Sequence, residues 1–205
     1  MPDSAQEVLP GQKINNFNGG KLAILLLALS DNIFDIISKR QGSGDLSTQE
    51  VILDTYLDEV RAKKFLLSIK AAIEKLEREK PEGIIYVLDA GSGPLPIFGM
   101  YAALCSSRVK SLCLEINPTS AKLALKAVQK LGLSDCVEVI NADATTYKVK
   151  NKPDLLISET LYSGLASEPF VKIMDNLYPQ INNGGIVIPQ EVKIFGGVTT
   201  FEDHI

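Results

Sequence analysis

A short turn of acid and glycine is the first feature of the sequence that suggests chemistry. The apolar run before it ends at Asp89, and the turn that follows contains Gly91 and Gly93. Because glycine has no side chain, a ligand can approach the backbone amides of such a turn closely. The turn therefore predicts a cradle for a nucleotide-like cofactor, and a tight turn without a ligand is the alternative.

Two further acids follow the next two apolar runs. Glu115 lies about 20 residues beyond the glycine turn, where an acid binds ribose hydroxyls in nucleotide-binding sheets. Asp143 follows the third run, where a carboxylate can accept a hydrogen bond from an adenine amino group. By itself Glu115 could instead be an acid at a helix entry, just before Asn117. Together with Asp89, the two acids predict one rim that binds a cofactor.

A dinucleotide is disfavoured as that cofactor. Dinucleotide-binding turns use a third glycine, which lets the start of the helix pack closely beside the pyrophosphate. Pro96 stands at that position here. The pattern favours a ligand without a pyrophosphate.

Strands and helices alternate after residue 83, and their order predicts the fold class. We expect an α/β fold, a Rossmann-like, doubly wound and mostly parallel sheet with helices on both faces. The ligand of such a sheet lies beyond the carboxyl ends of its strands, where the acids and glycines stand. The apolar runs that predict buried strands are 84–90, 109–116, 136–143, 154–160 and 184–190, and the helical segments are 96–107, 119–132 and 169–177.

The first 80 residues predict a helical extension to this sheet. Residues 57–80 place apolar side chains along one side of an amphipathic helix, and Pro81 ends it. The apolar segment 22–29 is too short to span a membrane and predicts a buried helix. We expect an N-terminal helical extension or lid at 1–80 and a cofactor-binding domain at 81–205.

The composition narrows the classes of partner and compartment. The chain has 205 residues, a formal net charge of −4 and a pI of about 5.1, and its basic residues form no stripe, so nothing indicates nucleic-acid binding. The three cysteines show no CxxC pairing, which favours a reducing, cytoplasmic setting. A single histidine without clustered cysteines provides no closed set of metal ligands.

The glycine turn and the two acids together resemble the first three motifs of class I S-adenosylmethionine-dependent methyltransferases. The resemblance covers residues 84–188. It implies S-adenosylmethionine as the cofactor and S-adenosylhomocysteine as the product. The cofactor-binding residues that it implies here are Asp89, Gly91, Gly93, Glu115 and Asp143.

The segment after the fourth strand resembles a loop of the protein arginine methyltransferases, in which two glutamates hold the substrate guanidinium. It reads DLLISETLYSGLASEP and places Glu159 and Glu168 nine positions apart. Two carboxylates suit this role because they accept the planar fork of a guanidinium. The resemblance implies that Glu159 and Glu168 are catalytic residues that orient the acceptor nitrogen, and that one accepts a proton. Glu168 could instead only cap the helix at 169–177, and Tyr162 could line the acceptor site or simply pack.

A segment ahead of the sheet resembles the helix that precedes the sheet in the same family. Residues 57–65 read LDEVRAKKF and contain Arg61 and Phe65. The resemblance implies that Arg61 pairs with the methionine carboxylate of the cofactor and that Phe65 covers the cofactor. A solvated arginine on a helix surface is the alternative. The GPL after the glycine turn and the SETLYSG of the loop resemble the symmetric-dimethylating branch of the family.

The sequence also departs from the family pattern. The family continues into a β-barrel with a dimerisation arm and a histidine-containing substrate loop, whereas this sequence has a predicted outward strand at 191–201 and stops at FEDHI. We therefore expect part of a larger enzyme or a reduced relative, acting as a homodimer or with further domains. Three functions stay open: N-methylation of a guanidinium or amine in a peptide or small molecule, O-methylation of a small molecule, and a non-catalytic cofactor-binding subunit.

Overall fold

The computed structural model describes residues 59–161 and 169–195. Residues 1–58, which include the apolar segment at 22–29, lie outside the described residues, so α1 below is the described part of the predicted N-terminal extension. The elements in chain order are α1 (Glu59–Glu79), β1 (Ile85–Ala90), α2 (Ile97–Cys105), β2 (Val109–Glu115), α3 (Pro118–Lys130), β3 (Val137–Asn141), β4 (Leu155–Ile157), α4 (Phe170–Leu177), a 3₁₀ turn (Tyr178–Gln180) and β5 (Ile186–Ile188).

The five strands form one sheet in the order β3-β2-β1-β4-β5, and every neighbouring pair is parallel. Strand β1 is central, with Leu88 paired with Leu112 of β2 and Leu156 of β4. Because β1 is covered on both faces, its sequence reads as a nearly continuous apolar run. The chain order reverses between β1 and β4, so a crevice is expected at the carboxyl ends of these strands. The predicted Rossmann-like fold is confirmed.

Helices pack on both faces of the sheet. Helices α1, α2 and α3 bury one apolar core against the sheet, and α4 buries a second core on the opposite face. This arrangement is the doubly wound sandwich that the alternating pattern predicted. The first core includes Ile69, Ile73, Met100, Val109 and Val128, and the second includes Leu88, Leu114, Leu156, Ile173 and Leu177.

Helix α1 is held to the first core by one apolar face. Burying a large apolar side chain stabilises a protein by about 1.5–3 kcal/mol, so this face fixes the helix firmly. The first turns of the helix carry Arg61 and Phe65, which are thereby held near the sheet. Four side chains recur at helical spacing and expose 5% or less of their surface: Leu66, Ile69, Ile73 and Leu76.

A buried acid joins three segments at the amino ends of the strands. Asp154 Oδ2 accepts hydrogen bonds from Lys80 Nζ at 3.0 Å and from the Tyr86 amide at 2.8 Å. Its Oδ1 accepts from Asn182 Nδ2 at 2.7 Å. Asp154 therefore ties the segment after α1, the start of β1 and the turn before β5 together, at the end of the sheet opposite the crevice.

The prediction of a strand at 191–201 is wrong for residues 191–195, which are the part of it that the structure describes. Residues 191–195 are not in a strand, because among the described residues no neighbouring strand pairs with them, and Ile194 and Phe195 are exposed. Residues 196–201 lie outside the described residues.

In the part of the chain that the structure describes, no helix has the length and apolar character needed to cross a membrane. The same part contains no group of three or more acidic, histidine or cysteine side chains that could hold a metal ion.

Candidate active site

The glycine turn lies directly beyond β1 and is held to the end of β2. The amides of Gly91 and Ser92 both donate to the carbonyl oxygen of Leu114, at 2.9 and 3.0 Å. Gly91 and Gly93 have φ values of 79° and 68°, in the left-handed region that side chains disfavour. A Cβ atom on Gly91 would also lie 2.4 Å from Thr160 Cγ2. Both conformation and space therefore require glycine at position 91.

Glu115 joins the glycine turn to the start of the next helix. Its Oε2 accepts from the Gly93 amide at 2.8 Å, and its Oε1 accepts from the Asn117 amide at 2.7 Å. Asn117 in turn caps α3 by accepting from the amides of Thr119 and Ser120. Each carboxylate oxygen can accept a second hydrogen bond. The side chain is thus fixed by backbone groups and keeps the capacity to bind a hydroxyl.

Asp89 lies beneath the glycine turn. The residue is 2% exposed, and its Oδ2 accepts from the Gly99 amide in the first turn of α2 at 3.0 Å. Burial raises the pKa of Asp89 to about 7, the Gly99 amide opposes this shift, and the charge of Glu115 adds to it. A Cβ on Gly99 would lie 2.4 Å from Cys113 Sγ, so α2 packs closely at this point. Asp89 therefore supports the helix that follows the turn.

Asp143 lies at the end of β3, beside the end of β2. Its Oδ1 accepts from the amide and from Oγ1 of Thr145, at 2.8 and 2.7 Å, and these hydrogen bonds lower the pKa of Asp143. Asn141 Nδ2 donates to the carbonyl oxygens of Glu115 and Ile116, each at 2.8 Å. The carboxyl ends of β2 and β3 are therefore tied together, and the predicted acids share one edge of the sheet.

Glu159 and Arg61 form an ion pair between the end of β4 and helix α1. Arg61 Nη1 lies 3.0 Å from Glu159 Oε1, although the two residues are 98 positions apart. The Glu159 side chain is 13% exposed and the Arg61 side chain 45% exposed. The residue predicted to bind the cofactor carboxylate thus contacts the residue predicted to bind the acceptor.

Phe65 stacks against the helix that begins after the glycine turn. Its ring lies 4.8 Å from that of Phe98, centroid to centroid, with an angle of 18° between the ring planes. The predicted cover of the cofactor is therefore packed against α2. Tyr162 and Glu168 lie outside the described residues.

Three polar residues at the rim were not singled out from the sequence. Asn117 fixes the start of α3, and Ser158 and Thr160 stand on either side of Glu159. Ser158 Oγ lies 3.2 Å from the Ala90 carbonyl oxygen and 3.1 Å from Thr160 Oγ1. The sequence does contain a signal for Ser158 and Thr160, because an apolar strand does not usually end with an acid that has a hydroxyl residue on each side.

A family model and two curated relatives match the chain. The model described as PRMT5 arginine-N-methyltransferase matches residues 50–182. An uncharacterized protein of Methanocaldococcus jannaschii is 33% identical over 129 residues, which are 63% of this chain and 45% of that protein. Protein arginine N-methyltransferase 5 of Xenopus laevis is 29% identical over 126 residues, 60% of this chain and 20% of that protein. The chain spans less than half the length of both curated relatives.

A solved structure matches the fold. Protein arginine methyltransferase 10 of Arabidopsis thaliana superposes with a TM-score of 0.55 at 22% identity, covering 66% of this chain and 36% of that one. At this identity the match is evidence for the fold alone, and that fold agrees with the parallel sheet described above.

Proposed function

This chain belongs to the PRMT5 arginine-N-methyltransferase family, and from that premise we propose that it transfers a methyl group from S-adenosylmethionine to a guanidinium nitrogen. The acceptor is an arginine side chain of a peptide or a small guanidinium compound. One observation carries the choice of acceptor. Glu159, beyond the carboxyl end of β4, already holds a guanidinium group, that of Arg61, at 3.0 Å. The position therefore suits this cation.

The residues at the rim fit a nucleoside that carries a carboxylate. Gly91 lets the Thr160 side chain pack against the turn, and Glu115 has hydrogen-bonding capacity for ribose hydroxyls. Asp143 would accept from the adenine amino group, and Arg61 would pair with the methionine carboxylate. Phe65 would cover the cofactor from α1, and Asp89 would hold the turn from beneath. When bound, S-adenosylmethionine supplies a methyl group on a positively charged sulfur and leaves as neutral S-adenosylhomocysteine.

In this proposal the acceptor side of the site would consist of carboxylates. Glu159, with Glu168, would hold the guanidinium so that one nitrogen lone pair points at the methyl group. Methyl transfer needs little acid or base catalysis, so orientation supplies much of the rate. The methylated nitrogen would then lose one proton, which Glu159 would accept. Tyr162 would line the same acceptor site.

A labelling experiment tests this function. The protein is incubated with S-adenosylmethionine that carries a radioactive methyl group, and with two peptides that differ only by arginine in place of lysine. We expect label on the arginine peptide alone, and we expect Glu159→Gln to reduce the rate by about a hundredfold or more while S-adenosylhomocysteine still binds. Glu79→Gln, which changes an exposed acid of α1, is the matched control.

The other outcomes select the alternatives. Label only on a hydroxyl acceptor such as a catechol would favour a small-molecule O-methyltransferase. Binding of S-adenosylhomocysteine without label on any acceptor would favour a non-catalytic subunit. Absence of binding by the folded protein would contradict the proposal itself.

The cysteines support a cytoplasmic location. Cys105, Cys113 and Cys136 are all free thiols, and burial raises the pKa of each. Free thiols of this kind persist in reducing compartments. Cell fractionation that found the native protein in an oxidising compartment would contradict this assignment.

A further inference from the structure

Two hydroxyl groups form a short hydrogen-bonded chain beneath the residue that we propose binds the acceptor. Ser158 is fully buried, and its Oγ donates to the carbonyl oxygen of Ala90 at 3.2 Å. Its Oγ also lies 3.1 Å from Thr160 Oγ1. A hydroxyl has one proton to donate, and that of Ser158 is directed at Ala90. The hydroxyl of Thr160 must therefore be the donor to Ser158.

The same two residues fix the loop on two further sides. The Ser158 amide donates to the carbonyl oxygen of Ile188 at 2.9 Å, which holds the loop to β5. The Thr160 methyl group lies over Gly91. A Cβ atom added to Gly91 would be only 2.4 Å from this methyl carbon. The loop that leaves β4 is thus seated on the end of β1 and on the glycine turn.

Glu159 lies between these two residues and contacts a different element. Ser158 and Thr160 contact β1 and the glycine turn, whereas Glu159 contacts Arg61 of α1. The contacts of Ser158 and Thr160 therefore fix the chain on both sides of Glu159.

We infer that Ser158 and Thr160 are positioning residues that set Glu159 relative to the cofactor turn. This inference rests on the proposed function. Loss of the hydroxyl chain should let the carboxylate move while the cofactor turn stays in place, because that turn is held separately by Leu114 and Glu115. A displacement of about 1 Å can reduce a rate by about a hundredfold.

A pair of variants at position 160 separates the hydroxyl from the methyl group. Thr160→Val keeps the shape and the methyl contact with Gly91 but removes the hydroxyl. Thr160→Ser keeps the hydroxyl and removes the methyl group. We expect Thr160→Val to lower kcat on the arginine peptide by about tenfold to a hundredfold, with the Kd for S-adenosylhomocysteine within about twofold of the parent. Thr160→Ser should retain kcat within about threefold.

A purely structural role would give a different result. It would lower the melting temperature of both variants and would not separate kcat from cofactor affinity. A Thr160→Val variant with kcat within about twofold of the parent would overturn the inference.

A second readout needs no turnover and so separates this inference from the proposed function. The protein is labelled with ¹³C at glutamate carboxyl carbons, and the Glu159 signal is identified by its loss in Glu159→Gln. We expect this signal to shift in Thr160→Val and to stay in place in Thr160→Ser. If the parent methylates no acceptor, the proposed function fails, and an unmoved Glu159 signal in Thr160→Val still overturns the inference.

Discussion

Replacing Glu159 by glutamine should tighten the binding of S-adenosylhomocysteine, although the residue belongs to the acceptor side of the site. Arg61 contacts Glu159 at 3.0 Å, and we propose that the same arginine pairs with the carboxylate of the cofactor. The cofactor must then compete with Glu159 for Arg61. Removing the charge of Glu159 removes the competitor.

The expected size follows from the exposure of the pair. Because the Arg61 side chain is 45% exposed and the Glu159 side chain only 13% exposed, solvent screens the interaction in part, and the upper part of the range for surface pairs applies, about 0.5–1 kcal/mol. Since about 1.4 kcal/mol corresponds to a tenfold change in Kd, Glu159→Gln should lower the Kd by about twofold to fivefold. The gain should shrink at high salt, where exposed charges are screened further.

Calorimetric titration with two ligands provides the assay. 5′-Methylthioadenosine has the same nucleoside and thioether but no carboxylate, so its Kd should not change in Glu159→Gln. In an Arg61→Ala background, Glu159→Gln should not change the Kd of either ligand, because the arginine for which Glu159 and the cofactor compete is absent. An unchanged or weaker affinity for S-adenosylhomocysteine in Glu159→Gln, with 5′-methylthioadenosine unaffected, would refute the exchange of partners by Arg61.

Three further predictions concern the scaffold of the site. Gly91→Ala should destabilise the protein by more than Gly132→Ala, because both glycines have positive φ but, of the two, only Gly91 lacks space for a Cβ. The backbone strain common to both variants is about 1–2 kcal/mol. Urea unfolding of the two variants measures the difference in their free energies of unfolding. Asp89 has a pKa raised from 3.8 to about 7, so its contribution to stability is greatest at low pH and is lost as the pH rises through this interval. The unfolding free energy of the parent should therefore fall relative to that of Asp89→Asn by roughly 1–3 kcal/mol between pH 5 and pH 8. If the unfolding free energies of the two proteins changed with pH in the same way, the raised pKa of Asp89 would be contradicted. Asp154→Ala should cost about 2–4 kcal/mol in unfolding free energy and leave the Kd for S-adenosylhomocysteine unchanged, since the residue lies at the opposite end of the sheet; a large change in that Kd would mean that the two ends are coupled.

The sheet and the edge at which the candidate site residues stand could be predicted from the sequence because the signals are local. Strand β1 reads as an apolar run that ends in an acid and glycines, and Glu115 ends the next strand in the same way. In a parallel sheet the ends of successive strands meet at one edge. Local patterns were therefore enough to bring these residues together.

The contacts between the candidate residues could not be predicted in this way. The pairing of Arg61 with Glu159 joins residues 98 positions apart and depends on how α1 packs on the sheet. The sequence placed Asp89 at the end of a strand, but the side of the sheet and the depth of burial follow from the twist of β1 and the packing of α2. Residues 191–195, the described part of the predicted outward strand, are not in a strand, because a strand needs a partner that an apolar pattern does not specify.

The hydrogen bonds across the ends of the strands connect neighbours in the order of the sheet. Asn141 of β3 binds the backbone of Glu115, Glu115 binds the Gly93 amide beyond β1, and Ser158 after β4 binds the carbonyl oxygen of Ala90. These contacts use only groups of the protein, so none of them depends on a ligand. Little conformational entropy is then lost by the protein on binding, and the Gly93 amide should exchange with deuterium slowly even in the free protein.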